Sequence, residues 1–229
     1  MNERVALFDI NGTLVSGFIA ADFIEGLEHE KLLTPGTNQK VQDSVFEYRQ
    51  TGEYEKFVYK FLIEWSEGLK GQSLALVKKV TSQIAQEQKH KIFPYVNKTI
   101  QSLKGNYDIC LVTAEPDFVA DAIGQELGVS SYISSTFELN GDIYTGQPYN
   151  LLASRQQKKE SLSDLLLNYD AQKSIAFGDS PGDIDMLLAV GGKFCVNPRN
   201  ELEQLAEENG WNIDPQNPDE YLLIRDRLP

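Results

Sequence analysis

The stretch Val5-Ala6-Leu7-Phe8-Asp9-Ile10-Asn11-Gly12-Thr13-Leu14 restricts the fold of this chain more than any other. An unbroken apolar run ends in an acid, and a glycine and a hydroxyl follow at once. That pattern predicts a strand buried on both faces that opens into a polar loop. Such strands belong to parallel sheets covered by helices, and open sheets of this kind bind ligands at the carboxyl ends of their strands. Asp9 then stands at the mouth of a crevice as a nucleophile, a metal ligand or both; the alternative is a turn acid that caps the next helix.

The rest of the chain decides between these. From about Phe18 to Lys91 the apolar spacing is helical: Phe18, Ile19, Phe23, Ile24 and Leu27 form one set, and Tyr54, Phe57, Val58, Phe61, Leu62 and Trp65 form a broad aromatic face. The aromatic face is expected in the core. Thr34-Pro35-Gly36, Thr51-Gly52 and Gly68-Leu69-Lys70-Gly71 are the breaks between these helices. From Ile92 onward strands and helices alternate. A strand over Tyr107–Val112 delivers Thr113 to a loop, a helix runs from about Pro116 to Leu127, and Tyr132-Ile133-Ser134 forms a short strand. Asn140-Gly141 turns a hairpin, Lys158 to Leu167 is helical, and the strand Ser174–Phe177 ends in Gly178-Asp179-Ser180-Pro181-Gly182-Asp183. A strand over Phe194–Val196, a helix from about Glu201 to Asn209 and a loop with one final short element complete the chain. The fold class that follows is α/β, a doubly wound, Rossmann-like parallel sheet formed by residues 1–15 and 91–229, with a helical insert over 16–90.

A net charge of -13 argues against a general binder of nucleic acid or of anionic membranes, though a local lysine and cation can still hold a small phosphorylated metabolite. No apolar run is long enough to span a bilayer, and Met1-Asn2-Glu3-Arg4 leads into a strand rather than a signal peptide. Cys110 and Cys195 lie in apolar strand-like runs, the setting of buried thiols, so the expected compartment is the cytoplasm.

Three polar clusters fall at the ends of predicted strands: Asp9 to Thr13, Thr113, and Asp179 to Asp183. If they converge, two or three carboxylates meet, and a divalent cation resolves their repulsion. An oxygen-only set without histidine favours Mg²⁺. Thr113 and Lys158 would complete a phosphate cradle, although alone each has an ordinary reading, Thr113 as a helix cap and Lys158 as a solvated helix start.

With these residues in view, the chain resembles the haloacid dehalogenase superfamily, on the branch resembling phosphoserine phosphatase. Asp9-Ile10-Asn11-Gly12-Thr13-Leu14 resembles its first motif, Thr113 the second, Lys158 with Leu162 the third, and Gly178 to Asp183 the acidic fourth. The resemblance implies a helical type C1 cap over residues 16–90 and an Mg²⁺-dependent phosphatase working through an aspartyl phosphate on Asp9. It implies that Asp9, Asn11 (by its carbonyl), Asp179 and Asp183 serve the metal, and that Thr113, Ala114 and Lys158 bind phosphate.

One position departs from that pattern. The family's phosphatases carry an aspartate as acid/base two residues after the nucleophile, and this chain has Asn11, which cannot exchange a proton near neutral pH. Three readings stay open: a slow phosphatase, a phosphate-ester-binding protein without turnover, or an enzyme in which another carboxylate serves, with Glu115 the candidate. Phosphoserine itself is not expected as substrate. No arginine lies between Thr51 and Gln72, and Phe18 stands where that branch carries a glutamate. Gly17 and Ile92-Phe93-Pro94 are hinge-like and would let the cap open and close.

Overall fold

The computed structural model describes residues 2–199 and 201–214. Strands β1 (Val5–Phe8), β2 (Asp108–Pro116), β3 (Ser131–Asn140), β4 (Ile143–Asn150), β5 (Ile175–Gly178), β6 (Gly192–Val196) and β7 (Asn212–Asp214) form one sheet in the order β4-β3-β2-β1-β5-β6-β7. Every pairing is parallel except that of β3 with β4. Because β2 lies on one side of β1 and β5 on the other, the strand order reverses at β1. That reversal opens the crevice into which the carboxyl end of β1 points.

Alternation along the strands sends two sets of side chains to opposite faces. Val5, Leu7, Cys110, Val112, Ala176 and Cys195 pack on one side against Leu162 of helix α7 (Arg155–Leu166), Ile184 and Leu187 of α8 (Ile184–Leu188) and Leu202 of α9 (Glu201–Asn209). Ala6, Phe8, Leu111, Ile175, Phe177, Phe194 and Val196 face the other way. On that side Phe8 stacks on Phe177 with ring centroids 4.3 Å apart, and Phe177 stacks on Phe194 at 4.8 Å. Three neighbouring strands thus share a floor of rings directly beneath the crevice. Cutting one such ring back to alanine costs about 3–5 kcal/mol.

The same apolar layer continues into the helices between β1 and β2. These are α1 (Ala20–His29), α2 (Thr37–Thr51), α3 (Tyr54–Gly68) and α4 (Leu74–Glu87), followed by α5 (Pro94–Leu103), which leads into β2. Phe23, Ile24 and Leu27 of α1, Leu62 and Trp65 of α3 and Val77 of α4 are buried in one cluster with Phe8, and also with Phe118 of α6 (Asp117–Leu127). Trp65 meets Phe118 edge-on at 5.5 Å. Gly36, Gly52 and Gly71, at three of the predicted breaks, all take positive φ, where glycine avoids the steric cost of a side chain.

Several boundaries differ from the sequence reading. Strand β2 runs on through Thr113 to Pro116, with an irregular register against β3 after Val112, so Thr113 lies within a strand rather than in a loop. The short strand expected at 132–134 is the start of β3, whose far end extends to pair with β4 across the predicted Asn140-Gly141 turn. Helix α7 begins at Arg155, three residues earlier than Lys158, because Ser154 and Gln157 form a reciprocal cap. Strand β7 was hidden by its brevity and its single apolar side chain, Ile213. The final short element expected beyond Asp214 lies outside the described residues. Cys110 and Cys195 are buried free thiols, and among the described residues no helix is long and apolar enough to cross a membrane.

Candidate active site

The three separated polar clusters meet at the end of β1. Asp9 follows β1 and is tied to β5 by its backbone N–H, which donates to the Phe177 carbonyl at 3.1 Å. Asp179 and Asp183 come from the turn after β5, and with Asp9 each offers a carboxylate oxygen within 4.8 Å of the others. Two glycines make this approach possible. Gly12 has φ +82°, and a Cβ there would stand 2.2 Å from Asp179 Oδ2; a Cβ on Gly178 would stand 2.5 Å from Asp183 Cβ.

Asp183 organises its own turn. Its Oδ2 accepts from the backbone N–H groups of Asp179 (3.3 Å) and Ser180 (3.1 Å) and from the Ser180 hydroxyl (2.9 Å). Its Oδ1 faces Lys158 Nζ at 3.4 Å, and Lys158 also lies 3.6 Å from Asp9 Oδ1. Lys158 is 7 % exposed, so the solvated helix start is set aside. Burial disfavours its charge, yet Asp183 and Asp9 outweigh that and hold the ammonium protonated.

The carboxylates are correspondingly strained as anions. Burial, reinforced by the charge of Asp183, pushes Asp9 well above the ordinary range and Asp179 up to about 7. Asp179 Oδ1 is buried without a hydrogen-bond partner, while its Oδ2 accepts from the Arg199 guanidinium. An orphaned anionic oxygen beside two further carboxylates fits a hard divalent cation, and the donor set is all oxygen.

Thr113 is buried in β2 two residues beyond Leu111, the register partner of Phe8, and its Oγ1 accepts the Glu115 N–H at 3.2 Å. Ala114 is held against β3 by its carbonyl, which accepts from Ser135 Oγ at 2.7 Å. Asn11 is fixed by two bonds. Its Oδ1 accepts from Ile19 N–H at 2.9 Å, and its Nδ2 donates to Glu115 Oε1 at 2.6 Å. The Ile19 amide can only donate, so the Asn11 side chain has one orientation.

Glu115, the candidate acid whose ordinary reading is a helix-start residue facing solvent, is instead 3 % exposed, and its Oε2 has no partner. Burial raises its carboxyl to about 7, against the opposing effect of the Asn11 bond. Tyr54 and Arg199 carry no site role in the sequence reading. Helical spacing puts Tyr54 on an apolar core face, yet it is 40 % exposed at the start of α3 and its ring lies 3.6 Å from where a Cβ on Gly182 would stand. Nothing in the spacing of the chain marks Arg199, which reaches Asp179 from the loop after β6.

Comparison with known proteins agrees with this architecture. The family model for haloacid dehalogenase-like hydrolases matches residues 6–188. The chain is 25 % identical over 226 residues to a phosphoserine phosphatase of Mycobacterium tuberculosis, covering 91 % of this chain and 69 % of that protein. A protein of unknown function from Bordetella pertussis Tohama I superposes with a TM-score of 0.78 at 21 % identity, covering 95 % of this chain and all (100 %) of the other. A substrate-bound phosphoserine phosphatase superposes at 0.67 with 18 % identity over 100 % of both chains. A sheet that reverses at β1, acids at the ends of β1 and β5, and a family match across both place this chain in the haloacid dehalogenase-like hydrolases, among those resembling phosphoserine phosphatase.

Proposed function

We propose that the chain is an Mg²⁺-dependent phosphoric monoester hydrolase acting on a small phosphorylated metabolite, with residues 16–90 as its cap. One observation carries the reading: Asp9, Asp179, Asp183 and Lys158 form a single buried cluster at the end of β1. Asp9, Asp179, Asp183 and the Asn11 carbonyl would hold the cation, which neutralises charge on the transferring phosphoryl group. Asp9 attacks phosphorus, the ester oxygen leaves with the alcohol, and water then hydrolyses the aspartyl phosphate. Lys158, Thr113 and the chain at Ala114 orient the phosphoryl oxygens. The buried, unlinked thiols of Cys110 and Cys195 support a cytoplasmic setting.

Turnover is slow in this reading. Asn11 cannot protonate the leaving alcohol, and loss of a positioned acid/base costs about 10²–10⁴ in rate. What proton transfer remains falls to Glu115, the carboxyl group hydrogen-bonded to Asn11 and left with one free oxygen. A phosphate-ester-binding protein without turnover is favoured by Asn11 alone. Phosphate release measured with Mg²⁺ over many phosphate esters, on this chain and on Asn11→Asp together, separates the two. Release by both chains, faster in the variant, is the expected result. No release by either leaves the binding protein.

A further inference from the structure

Resting on that reading, the geometry points to an aromatic leaving group: we propose that the ester side of the crevice takes a planar ring, held by Phe18 and Tyr54. Phe18 immediately precedes Ile19, whose N–H donates to Asn11 Oδ1, so its backbone is held beside the first-motif loop. It is 37 % exposed, and its ring meets Phe57 at 6.1 Å and Phe61 at 5.4 Å. Tyr54 lies against the Gly182 turn, its hydroxyl oxygen 3.8 Å from where a Cβ there would stand, and burial, ahead of the nearby charges of Lys158, Asp183, Asp9 and Glu115, raises that hydroxyl above its ordinary range. Tyr48 joins the two by stacking on Phe57 at 5.0 Å and meeting Tyr54 at 6.0 Å. Rings therefore run from the mouth of the phosphoryl site down to Trp65 in the core.

The charges nearby argue the same way. Both cations of α3 are already paired, Lys56 with Glu53 and Glu47 and Lys60 with Glu47. At the rim of the sheet, Arg155 is paired with Asp185 and Arg199 with Asp179. A substrate carboxylate would have to compete with an acidic partner at each of these four. Exposed aromatic faces beside an anion site instead suit a ring, which offset stacking or edge contacts retain.

The test compares phenylphosphonate with methylphosphonate, neither of which has an ester bond to hydrolyse, by calorimetric titration of the full chain in Mg²⁺. Phenylphosphonate should bind at least about tenfold more tightly. Phe18→Leu and Tyr54→Ala, each checked for an intact melting transition, should draw that ratio toward one. Equal binding of the two phosphonates by the native chain overturns the proposal, as does a ratio unchanged in both variants. If inorganic phosphate binds but the ring confers nothing, only this inference fails. If neither phosphonate nor phosphate binds, the phosphatase reading falls with it.

Discussion

Glu115→Gln separates what the buried carboxyl does for the fold from what it does for chemistry. The substitution keeps the shape and an oxygen that can accept from Asn11 Nδ2, so the only group lost is the acid. Glu115 is 3 % exposed, and solvent screening does not discount its cost. Burial raises it from 4.5 to about 7. In the unfolded chain it ionises near 4.5, whereas the folded chain retains the proton until about 7. The folded state therefore binds more protons over that window, and its stability falls as pH rises through it. Above pH 7 the loss reaches roughly 3 kcal/mol, at 1.36 kcal/mol per pH unit of displacement. Glutamine removes that dependence. For a chain of this size the metal-free variant should melt about 6–12 °C higher at pH 8, with little difference near pH 4.5. Phosphate release should move the other way, falling about 10²–10⁴-fold. Scanning calorimetry at both pH values and a release assay at pH 7.5 check the two halves. A melting gain equal at both pH values would refute the electrostatic account, and unaltered turnover would remove Glu115 from the reaction.

Asn11→Asp should raise turnover, though the new carboxylate would face Glu115 across the present 2.6 Å contact and the pair would share one proton; a variant no faster on any ester removes the acid/base account. Asp179→Asn should weaken Mg²⁺ binding by an order of magnitude or more, because it takes charge from the oxygen now without a partner, and metal titration reads this directly. Gly12→Ala should cost more than about 1 kcal/mol of stability from its φ of +82° alone, before the clash with Asp179, as denaturant unfolding would show.

Much of the crevice was legible because strand ends are easy to see. Apolar runs stop abruptly at Asp9 and Gly178, and in a parallel sheet such ends converge. Lys158 was legible only through its place in the order of motifs, since two adjacent lysines on a helix look solvated. Glu115 is legible only as a candidate, because the stretch Thr113-Ala114-Glu115-Pro116 also reads as the start of a helix, yet tertiary pairing carries β2 through it and buries the carboxyl. For Tyr54, helical spacing identifies an apolar face but not where that face ends. The amino-terminal turn of α3 overhangs the crevice while Leu62 and Trp65 further along are buried.

Phe8, Trp65 and Phe118 belong to one continuous apolar cluster, so the insert and the sheet have no dry seam along which to part. Any opening at Gly17 and Ile92-Phe93-Pro94 that swung the whole insert away would have to flood that interior. Breathing is left to the outer end of the α2–α3 pair, near Tyr48 and Tyr54, and hydrogen exchange should be fast there and slow at Trp65. Excising 16–90 would leave greasy surface around Phe8 and Phe118 in water, and heat should melt the described body in a single step.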